Sequence, residues 1–359
     1  MTNPTIASLR LLSQGIGSMK LNTPEQVVKG LGAVQAQDFA QAVWGVGLRT
    51  ASAGLPDIEL AIAERKIVLT WPMRGTIFMV PAEDVLWMLK LTAPRLQTHD
   101  KRRQAELGLD EEMLKRCRSV IERALQDGIP VARPDLMAVL EEDGISTNNG
   151  VGNYILGYLS RNGMLCFGPR EGKQQTFVLL EAWVGQLKEL TTEEALAELA
   201  LRYFTGHGPA TVQDFAWWTG LSLSDAKRGV ADASNVLQKI KIDNAVYWMS
   251  ASLPEKRQEQ PSVHLLPGFD EYYLGYKARD AVIEPEHDPK IAPYRNGVFQ
   301  PMIVVDGRIA GVWKREIRRN GVEVSFAPFT PLEERKEDIL AAARGYADFL
   351  GLPLIVSDI

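Results

Sequence analysis

PATVQDFAWWTGLS, residues 209–222, reads as a helix, a stop and the start of a second helix. Gly220 suits the positive φ that ends a helix, and Ser222 or Ser224 is placed to cap the next. Two helices joined by so short a turn form a helix-turn-helix unit. The flanks complete it. Helices fit residues 192–205 upstream and 224–231 downstream. VLQKIKI (236–242) and AVYWM (245–249) then read as two strands joined by Asp243-Asn244, a pair suited to a tight hairpin turn. Helices followed by a two-stranded ribbon are the winged-helix arrangement.

The same order occurs twice before this point. Near the N-terminus, helices fit residues 6–12, a segment opened by Thr23-Pro24-Glu25-Gln26, a segment from Asp38, and 58–63. The second start combines an N-cap, a proline at the first helical position and capping-box spacing. Val27, Val28, Leu31 and Val34 carry one apolar face, and Phe39, Val43 and Val46 carry the next. Strands at 67–71 and 76–80 follow, and residues 81–84 open another helix. The second copy has helices at 111–126, 134–142 and 150–161. Its hairpin is MLCFG (164–168) and TFVLL (176–180) around PREGKQ. After about residue 254 the chain turns β-rich. Strands fit 263–266, 298–305, 308–314 and 322–326, with Asp306-Gly307 and Asn320-Gly321 as turns. A helix over 333–350 closes this part, and 256–260 is a charged connector. The expected fold class is α+β. Three tandem winged-helix units (1–95, 96–187, 188–254) precede a small β-barrel or strongly bent sheet in 255–359.

Composition narrows the function. Apolar residues make up 45% and charged residues 24%, as in ordinary soluble globular chains. No apolar run reaches a membrane-spanning length, and no signal-peptide pattern opens the chain. Two cysteines, Cys117 and Cys166, are too few for a disulfide framework and fit buried free thiols in a reducing cytosol. The expected location is cytoplasmic. Net charge is −5, which argues mildly against a nucleic-acid binder. A phosphate backbone responds to local field, however, and basic clusters stand at Lys101-Arg102-Arg103 and at Lys314, Arg315, Arg318 and Arg319. No nucleotide-cradling glycine motif, zinc-ligand spacing around His99, His207, His264 or His287, or G-x-S-x-G elbow is present. No cofactor or metal is expected.

Gln35 and Gln37 interrupt an otherwise apolar stretch, GAVQAQDFAQAVWG (32–45). On one continuous helix, residues two apart point about 200° away from each other and cannot share a site. Asp38 is a good N-cap with Gln41 three residues later, so a new helix is expected to start there. Gln35-Ala36-Gln37 then lies in a break, where both amides can turn into one cleft. The alternative is that one amide caps the preceding helix and the other is solvated. Trp44, Trp71 and Trp87 can stack on bases, core packing being the simpler reading. Arg74 can hold a phosphate or a surface ion pair. Asp270 and Glu271 can supply an acid; a structural salt bridge to the third winged helix is the preferred reading, with Arg279 answering one carboxylate.

These residues carry a family resemblance. Val34-Gln35-Ala36-Gln37, Met73-Arg74-Gly75-Thr76, Leu265-Leu266-Pro267-Gly268-Phe269-Asp270-Glu271-Tyr272 with Gly275-Tyr276 and Arg279, Phe299-Gln300-Pro301, Val305-Asp306-Gly307-Arg308 and Gly311-Val312-Trp313 stand in order along the chain. In these it resembles the winged-helix DNA-binding family that includes the AlkZ and YcaQ DNA glycosylases. The resemblance implies a C-shaped arrangement around duplex DNA. It implies excision of N7-alkylated or crosslinked purines by a monofunctional glycosylase, with Gln35 and Gln37 catalytic. Damaged duplex is then the partner, and a monomer would suffice; the candidate DNA-binding residues are Arg74, Thr76, Arg279 and, on the third wing, Lys239 and Lys241, the alternative for that wing being a plain exposed turn. It departs at Phe78, where family members commonly carry a histidine, which bears on substrate and activity. Two rivals stand beside this reading: a non-catalytic winged-helix DNA-binding regulator, and a protein-interaction scaffold.

Overall fold

The computed structural model describes residues 3–242, 244–253, 262–294 and 297–356. Asp243 of the third hairpin turn and the connector at 256–260 lie outside the described residues. Packing divides the chain into two compact units. One joins Met1–Ile58, Leu196–Trp218 and Ser222–Ile359; the other holds Glu59–Ala195 and Thr219–Leu221.

In the first unit, helices Asn3–Ser13, Pro24–Leu31 and Phe39–Arg49 start where the capping residues are. The Thr23 hydroxyl accepts from the Gln26 N–H, and Gln26 Oε1 accepts from the Asn22 N–H at 3.1 Å. These contacts satisfy donors that a helix start leaves open. Helices Thr192–His207, Val212–Thr219 and Leu223–Asp232 follow later in the chain, the first of them belonging to this unit from Leu196 onward. Ser222 caps the last of these, accepting from the Asp225 N–H at 3.0 Å. Strands Leu237–Ile242 and Ala245–Ser250 pair antiparallel as a two-stranded ribbon, in register from Leu237 with Ser250 to Ile242 with Ala245, and Trp248 also exchanges backbone hydrogen bonds with Ala210 at 2.8 and 3.0 Å.

The C-terminal sheet is open, not closed into a barrel. Its order is Leu354–Val356, Gly321–Pro328, Arg308–Arg318, Met302–Val305, Val263–Leu266. The two edge strands are only three and four residues long, too short to curl the sheet into closure. The expected strand at 298–305 begins only at Met302, because Pro301 has no N–H to give to a ladder. Asp306 and Gly307 take φ of 49° and 83°, the turn that twists with its strands. Helix Lys336–Leu350 contributes Tyr346, whose ring stands edge-on to Trp44 and Trp313, each at 5.0 Å.

In the second unit, the first two expected hairpins are not separate ribbons. Leu69 pairs with Phe167, giving one sheet in which Thr76–Pro81, Ile67–Met73, Leu165–Phe167, Thr176–Leu179 and Val131–Ala132 follow one another. These strands are buried along nearly their whole length. A ribbon with no solvated face must find a neighbour on its edge or its flank. Helices Val85–Glu106, Glu111–Leu125, Arg133–Glu142 and Val151–Arg161 belong to the same unit. Cys117 and Cys166 are free, buried thiols there. Among the described residues, no helix is long and apolar enough to cross a membrane.

Candidate functional site

The chain leaves helix at Leu31, where Gly32 takes φ of 81°, and re-enters it at Phe39. Val34–Gln35 is extended, and the backbone bends at Gln37 and Asp38. Asp38 is the N-cap, its carboxylate accepting from the Gln41 N–H at 3.2 Å. The predicted break is therefore present. The strand ends at Gln35 and Gln37 lies in the bend, so the two-residue repeat of a strand does not put both amides on one face. Gln35 is buried and Gln37 is exposed.

A second segment, 265–279, holds this one in place. The Gln35 N–H donates to Glu271 Oε1 at 2.8 Å. Gln41 Oε1 accepts from the Gly268 N–H at 3.0 Å, and Trp44 Nε1 donates to the Leu265 carbonyl at 2.8 Å. Arg49 Nη1 and Nη2 donate to Asp270 Oδ2 and Oδ1 at 2.9 and 2.8 Å, a two-pronged buried ion pair. From Gln35 to Arg49, the segment is tied at both ends and in its middle.

The carboxylates are themselves enclosed. Glu271 is 1% exposed; its Oε2 accepts from Trp218 Nε1 at 2.8 Å and lies 3.4 Å from His207 Nε2. Burial raises its affinity for a proton. The His207 hydrogen bond and charge, the Gln35 N–H and the Trp218 indole outweigh that and hold its carboxyl below the usual range. Gly275 is needed beside it: a Cβ would sit 2.5 Å from the Glu271 carbonyl and 2.6 Å from His207 Cδ2. Asp214, also buried, takes the Thr211 N–H on one oxygen and the Lys277 and Ala278 N–H groups on the other, at 2.9 to 3.1 Å. Tyr276 donates to the His207 carbonyl at 2.7 Å.

The other predicted site residues are placed as follows. Arg74, with φ of 53°, stands at the turn of the first hairpin, and Thr76 begins the return strand, its hydroxyl 3.4 Å from the Met73 carbonyl. Both belong to the second unit. Lys239 and Lys241 are exposed on one face of the third ribbon. Among the described residues, Arg279 does not answer a carboxylate. Its Nε donates to the Tyr273 carbonyl at 3.1 Å, and its guanidinium lies over the rings of Tyr273 and Trp217 at 4.1 and 5.3 Å. The planar cation finds two aromatic faces nearer than an acid. Trp44 and Trp87 are buried, and half-buried Trp71 lies tilted against Phe167 with ring centroids 4.6 Å apart. Phe78 is fully buried in its strand. A cavity of about 430 Å³ in the first unit, lined by Lys20, Trp44, His264, Asp348 and Phe349 among others, includes neither glutamine.

Glu271 does reach the third helical segment, as expected, through Trp218 and His207. What sequence reasoning missed is that Asp270 and Glu271 also grip the glutamine segment. A backbone N–H leaves no side-chain signature, and Arg49 lies 221 residues from its partner.

The chain is similar to known proteins. A solved structure, Streptomyces sahachiroi DNA glycosylase AlkZ, matches with a TM-score of 0.82 over 99% of this chain and 100% of that one, at 24% identity, and shows the shared α+β fold. A curated relative described as an interstrand DNA cross-link repair glycosylase, also from Streptomyces sahachiroi, is 27% identical over 303 residues, 80% of this chain and 81% of the relative. The model of the family described as "DNA glycosylase AlkZ-like" matches residues 28–349, a span that holds the glutamine segment and all its anchors. The chain belongs to the AlkZ-like DNA glycosylase family.

Proposed function

We propose that this protein is a monofunctional DNA glycosylase that removes N7-alkylated purines, including purines joined in interstrand crosslinks. Gln35 and Gln37 position the attacking water. The observation that carries the reading is the break in helix at Gln35-Ala36-Gln37, anchored from behind by Glu271 and ending in an exposed Gln37. The chemistry suits neutral side chains. An N7-alkylpurine already carries positive charge, so its N-glycosidic bond breaks with little protonation of the leaving base. What is left is to orient a water and to tolerate an oxocarbenium-like sugar. An amide carbonyl does the first and adds no charge that would compete for the cationic base. A base tied to the opposite strand cannot be extruded into a closed pocket, and an open concave site suits it. The relative described as a cross-link repair glycosylase supports that substrate class.

In this reading the helix-and-hairpin segments 1–95, 96–187 and 188–254 act as three winged helices in a C around the duplex, with 255–359 as the β-rich support. Arg74, Thr76, Lys239, Lys241 and Arg279 meet phosphates, and a single cytoplasmic chain suffices. One observation favours a second reading, duplex binding without excision: buried Phe78 replaces a histidine common in the family. Incubating the protein with duplexes carrying N7-methylguanine or an N7-linked crosslink, and measuring free base by chromatography, separates them. Release of base supports the glycosylase. Salt-dependent binding with no release from any of these duplexes supports the binder.

A further inference from the structure

We propose that Glu271 is a positioning residue for base excision, a buried carboxylate that fixes the backbone of Gln35 and so the aim of both amides. The inference rests on the reading of Gln35 and Gln37 as the water-orienting pair.

The geometry argues for more than a tie. Gln35 lies in a two-residue strand between a helix stop and a helix start. Its N–H is held by a side chain 236 residues further along. That side chain has its own donors: the Trp218 indole at 2.8 Å and His207 Nε2 at 3.4 Å meet its second oxygen. The Tyr203 ring stacks on His207 at 4.7 Å, and Trp218 is fully buried. Removing a carboxylate from water is costly, and a neutral acceptor would serve a plain structural contact. Here the carboxylate faces a fully buried imidazole and a fully buried indole. The result is a short chain of contacts, His207 and Trp218 to Glu271 to the Gln35 backbone, running from packed core to the site. On the far side of Gln37, the contacts of Gln41, Trp44 and Arg49 with segment 265–270 fix the following helix. The catalytic segment is thus pinned on both flanks, and Glu271 supplies the pin on the side of Gln35.

A small misplacement of a reacting group costs rate far more than affinity. Glu271→Gln presents an NH2 group to two donors, Trp218 Nε1 and His207 Nε2, so the amide must turn and a contact is lost. Glu271→Gln, Trp218→Phe and Gln37→Ala are compared with wild type by single-turnover excision of N7-methylguanine at saturating enzyme, duplex affinity by fluorescence anisotropy, and melting temperature. For Glu271→Gln the expected result is an excision rate lowered about 10- to 100-fold, with the dissociation constant within about threefold of wild type. Trp218→Phe, which keeps the carboxylate and deletes one donor, is expected to slow excision severalfold with the same unchanged affinity, and it carries the test if Glu271→Gln does not fold. Wild-type excision by a folded Glu271→Gln, or by Trp218→Phe where Glu271→Gln fails to fold, overturns the proposal while loss of activity in Gln37→Ala leaves the site reading standing. Full activity in Gln37→Ala overturns the site reading itself.

Discussion

Replacing Arg49 by leucine tests the anchoring of the glutamine segment. Arg49 and Asp270 are 2% and 1% exposed at their side chains, with a separation of 2.8 Å. Arg49 also donates to Gln14 Oε1 at 2.7 Å and to the Gly45 carbonyl at 2.8 Å. In Arg49→Leu the Asp270 carboxylate stays buried with the Tyr272 N–H, at 2.8 Å, as its remaining donor among these contacts. Breaking a buried pair from one side costs about 3–5 kcal/mol, because the surviving charge is uncompensated. In a unit of this size each kcal/mol moves the melting temperature by roughly 2–4 °C, so a fall of about 6–20 °C is expected. The double variant Arg49→Leu/Asp270→Leu removes the stranded charge. It is expected to be more stable than the two single losses summed, by about 2 kcal/mol or more. Thermal and denaturant unfolding of the four proteins gives the cycle. An Arg49→Leu protein within about 1 kcal/mol of wild type would refute the reasoning.

Three further outcomes follow. Burial, with Lys20 and Arg49 nearby and Asp306 opposing, pushes the His264 imidazole down to about 4. The unfolded chain then takes this proton first, so stability is full above about pH 6.5 and falls toward pH 4. The loss is about 1–2 kcal/mol between pH 7 and pH 5, and His264→Asn flattens that slope in denaturant titrations; an unchanged slope contradicts it. Burial also pushes the Cys117 thiol up to about 11, and the Cys166 thiol upward as well, so a thiol reagent at pH 8 should label neither until denaturant is added. Replacing Lys239 and Lys241 by alanine should weaken duplex binding uniformly across sequences and reduce the slope of log affinity against log salt by about two; an unchanged slope removes the third ribbon from the interface.

Much of the local structure was legible because capping is local chemistry. Thr23, Asp38 and Ser222 announce helix starts within four residues, and the structure uses each of them. The third hairpin reads as a two-stranded ribbon, and the structure pairs its strands as one, with Trp248 also bridged to Ala210. The first two hairpins, IVLTWPM with TIFMVP and LCF with TFVL, lack that alternation. Their apolar runs imply cover on both faces, which the reading of one hairpin per winged-helix unit did not draw out. Strand Leu354–Val356 escaped notice because three residues paired in parallel carry almost no pattern. The glutamine break was legible from Asp38, an N-cap with Gln41 three residues later, and the structure uses that cap. Its support was not. Glu271, Asp270 and Arg49 meet across more than two hundred residues, and only the folded chain puts a carboxylate under a backbone N–H.

The central claim is that Gln35 and Gln37 orient the water that displaces a cationic base. Its most direct test is single-turnover release of N7-methylguanine from duplex DNA by wild type, Gln35→Ala, Gln37→Ala and the double variant, with duplex affinity measured in parallel. The account predicts rates lowered by about 100-fold or more in Gln37→Ala and the double variant with affinity nearly unchanged. A double variant that releases base at the wild-type rate would contradict it.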